Sequence, residues 1–256
     1  MPITVLGGTG MIGSRIADQL EQRGHQVTRS SRQSGVDALD APSLESAFTG
    51  DEIVVDCLNI ETLAAKKSRD FFGRTARNVV GAAHSTGIRR IVCVSIAGAT
   101  NPQVNRFMGY YQGKALQEEI YRTSPVPTTV IHSTQWFELM ESIARRAVVG
   151  PIAVLPTMKM MPVAAYRAAE IIARHIDHVG DGTKSQVLAL RGPEETTTLQ
   201  LCRQILAAKG TIDGRSPRIM MQVPFLGRAI ATGGLIPNDA VTDDLTLEQW
   251  LTAAAR

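Results

Sequence analysis

The chain has 256 residues, 44% hydrophobic and 20% charged, which suits one large soluble domain, or one domain with a small lobe. A net charge of +3 is spread over scattered pairs such as Lys66-Lys67, Arg89-Arg90 and Arg145-Arg146, none interleaved with aromatics; these read as solvated helix faces and exclude a nucleic-acid groove. Cys57, Cys93 and Cys202 are an odd number without CxxC spacing, which excludes a disulfide scaffold and points to a reducing cytoplasm, and the start MPITVLGG and the lack of any uninterrupted 18-residue apolar run point away from secretion and membrane spanning.

Ile3 to Leu6 is a short apolar run, and Met11 to Gln22 carries Ile12, Ile16 and Leu20 at helical spacing before a stop at Gly24. Gln26 to Thr28 reads as a second strand, Ser43 to Phe48 as a short helix and Glu52 to Cys57 as a buried strand. The order repeats with a helix over Arg69 to Thr86, a strand over Arg90 to Ser95, a helix over Tyr110 to Thr123 and a strand over Thr128 to Ile131. Near-continuous apolar strands alternating with helices specify an α/β fold, a doubly wound parallel sheet covered on both faces. After Trp136 the rhythm loosens, with Pro151, Pro156 and Pro162, a helix over Ala164 to His175, a strand over Val187 to Leu190 and a helix over Leu199 to Lys209. This divides the chain into a first domain over residues 1–150, to whose sheet some later segments return, and a small lobe over residues 151–256 that does not fold alone and covers the carboxyl ends of the strands.

Gly7, Gly10 and Gly13 in VLGGTGMIGS leave the first strand and enter the first helix. Gly7 suits a tight turn, Gly10 admits a pyrophosphate to the helix amino end, and Gly13 lets the helix lie close to the sheet. The spacing is GxxGxxG, not GxGxxG, so the strand-turn-helix setting carries the reading of a dinucleotide site. About 20 residues further on, where a carboxylate would meet a free ribose 2′-hydroxyl, the chain reads Thr28-Arg29-Ser30-Ser31-Arg32. Two guanidiniums and two hydroxyls make a cradle for a 2′-phosphate, so NADP(H) is expected in preference to NAD(H).

Ser95 ends a strand, and Tyr110-Tyr111-Gln112-Gly113-Lys114 follows on a helix, where Tyr110 and Lys114 share a face one turn apart. A neighbouring ammonium is expected to lower the phenol's pKa, Lys114 to hold the nicotinamide ribose, and Ser95 to hydrogen-bond a substrate carbonyl; such a trio protonates oxygen while hydride arrives at carbon.

GGTGMIG, VSIAGA, GYYQGKALQEE and STQWFEL together resemble the atypical short-chain dehydrogenase/reductases, close to the NmrA-like NAD(P)H-binding branch, from the start to about Pro162; LTLEQWL is similar to the tail of these proteins. The resemblance implies a Rossmann fold with NADP(H) on the glycine loop and a small carboxyl-terminal substrate lobe. It places Gly7, Thr9, Gly10, Met11, Ile12 and Gly13 on the pyrophosphate, Arg29 and Arg32 on the 2′-phosphate and Asp37 near the adenine. Asn59 and Ser95 then approach the nicotinamide, with Tyr110 and Lys114 as the catalytic pair. The chain departs from its relatives at Ile131-His132, where many have arginine, and at MKMMPVAAYR, where an acidic residue is more usual.

His132 is a second candidate proton donor or a core histidine, and Gln135, Trp136 and Phe137 with Met158, Met160 and Met161 form either a malleable substrate pocket or the core joining the two lobes. His175 and His178 lack a third ligand, so no metal is expected, and Cys57 and Cys93 read as packing. The whole reads as an NADPH-dependent reductase of a carbonyl or conjugated carbonyl in a small apolar molecule. A non-catalytic NADP(H) sensor, a quinone reductase and a nucleotide-sugar epimerase are the alternatives; substrate and oligomeric state stay open.

Overall fold

The computed structural model describes residues 1–106, 108–179 and 184–254. In chain order it forms β1 (Pro2–Leu6), α1 (Met11–Gln22), β2 (Gln26–Ser30), α2 (Ala41–Phe48), β3 (Ile53–Asp56), α3 (Ala65–Thr86), β4 (Arg90–Ile96), α4 (Pro102–Asn105), α5 (Gly109–Arg122) and β5 (Thr128–Ser133). There follow α6 (Phe137–Arg146), β6 (Val148–Val149), β7 (Ile152–Pro156), β8 (Lys159–Met160), α7 (Ala165–His178), β9 (Gln186–Arg191) and β10 (Thr196–Thr197). The chain closes with α8 (Thr198–Lys209), β11 (Ile219–Val223), α9 (Arg228–Ala231), β12 (Val241–Thr242) and α10 (Leu247–Ala254).

Seven parallel strands make the central sheet in the order β2-β1-β3-β4-β5-β9-β12. The chain winds outward from β1 to β2 and then returns to the other side of β1 for β3, so the winding reverses between β1 and β3 and opens a crevice at their carboxyl ends. The apolar stripe of α1, Ile12, Ile16 and Leu20, packs with Ile172 and Ile176 of α7 over one face of the sheet. Phe48, Val79 and Tyr121 cover the other. Each such side chain taken from water stabilises by about 1.5–3 kcal/mol.

Two late strands, β9 and β12, extend this sheet beyond β5, and α7 lies against α1. Asp177 near the end of α7 fastens that contact by accepting from Arg23 and His25, both at 2.7 Å, at the turn after α1. The remaining late segments form a third cluster in which Phe137, Met140, Met160, Leu201, Ile205 and Trp250 are buried. On it sits a three-stranded sheet in the order β11-β7-β6.

α3 and α5 cross unusually closely. A Cβ at Gly113 would come within 2.1 Å of Ser68 Oγ and 2.7 Å of the Phe72 ring, and one at Gly109 within 2.3 Å of the Leu63 carbonyl. Only hydrogen fits at these two contacts, and Ser68 Oγ also donates to the Tyr110 carbonyl at 3.2 Å. The glycines of GYYQGK therefore fix the height and rotation of the helix that carries Tyr110 and Lys114.

Candidate active site

A cleft of about 240 Å³ lies over the β1–β3 reversal, lined by the loop Gly10–Gly13, Leu58 and Asn59 after β3, the end of β4, Tyr110 and Lys114 of α5, and residues 133–136 after β5. A wider groove of about 1240 Å³, which shares no lining residue with it, is bordered by Glu194, Glu195 and Glu248.

The glycine loop is built as a phosphate seat. Gly7 sits at φ +69°, and a Cβ there would stand 2.9 Å from the Cys57 carbonyl; at Gly13 it would stand 2.3 Å from the Gly7 carbonyl, so this glycine lets α1 close onto the loop. Gly10 differs, with extended backbone at φ −79° and ψ 174° and only the Gly7 carbonyl, at 3.2 Å, near its Cβ direction. It caps α1 without a side-chain hydrogen bond, so the first-turn amide groups of the helix keep their positive end for a ligand. An open approach at Gly10 beside an uncapped helix fits a dinucleotide pyrophosphate.

The arginines part company. Arg29 lies back on α1, donating to Asp18 at 2.7 Å and to Glu21 at 2.7 and 3.2 Å. It spends on two carboxylates the charge expected for a 2′-phosphate. Arg32 is exposed and makes no ion pair among the described residues. Asp37 is exposed and accepts from the Leu39 amide at 2.9 Å, which shapes the turn before α2. Neither it nor Arg32 lines the cleft.

Tyr110 donates to Asn59 Oδ1 at 2.9 Å, and its ring stands edge-on to Phe72 at 5.7 Å. Lys114 is 3% exposed; its Nζ donates to the Val94 carbonyl and to Gln117 Oε1, each at 3.0 Å, and lies 4.5 Å over the Phe72 ring. Gln117 passes the contact on to buried Asp56 at 2.8 Å. Burial alone would lower the ammonium's pKa, but Tyr110, Cys93, Asp56 and Glu118 raise it, so Lys114 stays charged. For Tyr110 desolvation pushes the pKa up and outweighs the pull of Lys114. This reverses the expected lowering and leaves a protonated phenol in the cleft at neutral pH.

Ser95 and His132 are register partners on β4 and β5, and both reach Glu118 of α5. Ser95 Oγ donates to Glu118 Oε1, and His132 Nε2 contacts Glu118 Oε2 at 2.9 Å. The Ser95 hydroxyl meant for a substrate is thus given to a buried carboxylate, although the residue still borders the cleft; His132 lies outside it. Glu118 eluded the sequence reading because a glutamate on an amphipathic helix looks solvated, and only its i+4 relation to Lys114 hinted at a shared buried face.

Of the malleable-pocket candidates, Gln135 and Trp136 line the cleft, and Trp136 Nε1 donates to Ser133 Oγ at 2.8 Å. Phe137, Met158 and Met160 are core instead, with Phe137 5.3 Å from the Trp250 ring, and Met161 is outside the cleft, its carbonyl accepting from Thr134. The three cysteines are free and buried; burial raises Cys57 and Cys93, and pushes Cys202 up to about 12. No group of three side chains able to hold a metal occurs among the described residues.

The model of the NAD(P)H-binding family matches residues 7–147, from the glycine loop to the end of α6. A 3-diazoavenalumate denitrifying reductase of a Streptomyces species is 34% identical over 122 residues, covering 40% of this chain and 40% of the relative's own length. Among solved structures, the NADPH complex of an NADPH-dependent quinone oxidoreductase from Escherichia coli superposes with a TM-score of 0.73 at 16% identity, over 99% of this chain and 100% of the other. UDP-glucose 4-epimerase from Bifidobacterium longum, solved with NAD+ and UDP, gives 0.74 at 13% identity, over 99% and 97%. These structures share the fold. The family match spans more than half of the chain and begins on the loop whose geometry fits a pyrophosphate. The chain therefore belongs to the NAD(P)H-binding family.

Proposed function

We propose that the protein reduces a carbonyl or conjugated carbonyl of a small, largely apolar molecule with NADPH, and that Tyr110 donates the proton. The observation that carries this is a protonated phenol held by Asn59 in the same cleft as the uncapped helix α1. Gly7, Thr9, Gly10, Met11, Ile12 and Gly13 would hold the pyrophosphate, Arg32 the 2′-phosphate, Asp37 the adenine side, and Asn59 and Lys114 the nicotinamide half. The cofactor supplies a hydride. Tyr110 keeps its proton because its surroundings are poorly solvated, and releases it to an oxygen that gains electron density as hydride arrives. Lys114, held charged by Asp56 through Gln117, stabilises the phenolate left behind. Ser95 acts here as a support for Glu118 and the end of β4. Trp136, Leu139 and Ile96 give the cleft an apolar wall, and the reductase name of the Streptomyces relative supports the reaction class.

Tyr110→Phe should keep its fold and NADPH affinity and lose roughly 10²- to 10⁴-fold in turnover, the worth of a positioned acid. Tyr111→Phe is the control: that ring is 3% exposed and belongs to the third cluster, outside the cleft. A panel of enones, aldehydes and quinones with NADPH oxidation as readout decides the substrate. A second reading has a specific support: Ser95, Lys114 and Tyr110 all donate to protein acceptors, and a quinone taking hydride directly would need no proton from any of them in that step. Full activity of Tyr110→Phe on quinones would establish that reading instead.

A further inference from the structure

The three-stranded sheet β6, β7 and β11 is apolar on both faces. Along a half-buried strand, apolar side chains face the core and polar ones face water. Here the outward positions are Val149, Ile152, Val154, Ile219, Met221 and Val223, exposed by 79, 39, 44, 53, 47 and 41%, while the inward positions include the polar Gln222. The register makes these one surface: Val149 pairs with Ile152, Ile152 with Ile219, and Val154 with Met221. Phe225, 59% exposed, lies two residues beyond β11. No outward position on the three strands is charged.

We infer that this face is the seat of a second copy of the chain, in a twofold dimer that packs the two three-stranded sheets against each other. Exposed apolar area on the seven residues is on the order of 600 Å², at the upper end for a solitary soluble chain. It is also most of the roughly 800 Å² that each partner gives up in a standard interface. Apolar residues on both sides are the signature of a sheet enclosed on both faces, and two twisted sheets stack well at about 10 Å. A partner of opposite charge has nothing to read on an uncharged face, whereas a twofold contact pairs the face with its own equivalent. None of these residues lines the cofactor cleft, so both sites stay open in the dimer.

Sedimentation velocity from low to high micromolar protein tests this. The expected result is a species of twice the 27.6 kDa chain mass, converted to monomer by Met221→Glu and, independently, by Ile219→Lys. Both positions are half-exposed, and the variants should keep their circular dichroism and NADPH binding. Val187→Glu, at an apolar residue 67% exposed on β9, should leave the dimer intact. A parent that is monomeric throughout, a dimer that survives both substitutions, or a monomer that pellets with anionic vesicles through this face would overturn the inference.

Discussion

At the scale of single residues, the two ends of the glycine loop ask for different things. Gly10 has ordinary backbone angles and a single tight contact, 3.2 Å from the Gly7 carbonyl, so Gly10→Val should cost the fold far less than Gly13→Val and abolish NADPH binding in a titration. Gly13→Val should unfold the loop itself, because a side chain there meets the Gly7 carbonyl. The arginines make a second pair. Arg32→Ala should narrow the preference for NADPH over NADH by about 1–3 kcal/mol, the worth of a charge-assisted hydrogen bond. Arg29→Ala should change it far less, since its guanidinium is already held by Asp18 and Glu21. Tyr110 adds a pH signature. Its pKa lies above the ordinary phenol value, so the acid form is complete across the neutral range. Turnover that depends on this proton should be flat there and fall only above about pH 10, as the phenol ionises. A fall centred near pH 7 would mean that another group supplies the proton.

Between elements, the closest contact is the crossing of α3 and α5. Gly113→Ala forces a methyl group against Ser68 and Phe72, and should lower stability by about 1–3 kcal/mol while reducing turnover more than NADPH affinity, because Tyr110 rides on α5. The clasp at Asp177 has a definite pH window. Burial would raise this carboxyl, but hydrogen bonds from His25 and Arg23 hold it below the usual carboxylate range. A depressed folded-state value contributes stability above the unfolded value, near 4, that is lost as pH falls through the folded one. The gap in melting temperature between the parent and Asp177→Asn should thus be open at pH 7 and close below about pH 4. Apart from the four-residue α4, the elements before Ser133 were legible because their periods are clean: Ile12, Ile16 and Leu20 mark a helix, and Ile53 to Val55 a strand buried on both faces. β6, β10 and β12 have two residues each, too short for any period, and β11 reads IMMQV, without a polar alternation to announce it. In the site, the shared face of Tyr110 and Lys114 follows from helix spacing, whereas Asn59 comes only from the family resemblance. The fate of Ser95 was not, since it is set by Glu118, a partner 23 residues away.

At the scale of the whole molecule, cofactor and fold are linked. A ligand that completes the amino end of α1 binds only the folded chain, so NADPH at 100 times its Kd should stabilise by about 2.7 kcal/mol and raise the melting temperature accordingly. The return of β9 and β12 to the central sheet bears on how the molecule is made. Once residues 1–133 have left the ribosome, β5 is an edge, with its hydrogen-bonding groups open until residues 186–190 arrive to pair with it. β12 and the Arg167 contacts to Asp243 and Asp244, both at 2.8 Å, come later still. The nascent chain therefore carries an unprotected, β-rich edge through more than fifty residues of translation. Slowing synthesis across that stretch should increase the insoluble fraction, and faster synthesis or a chaperone that shields strand edges should reduce it.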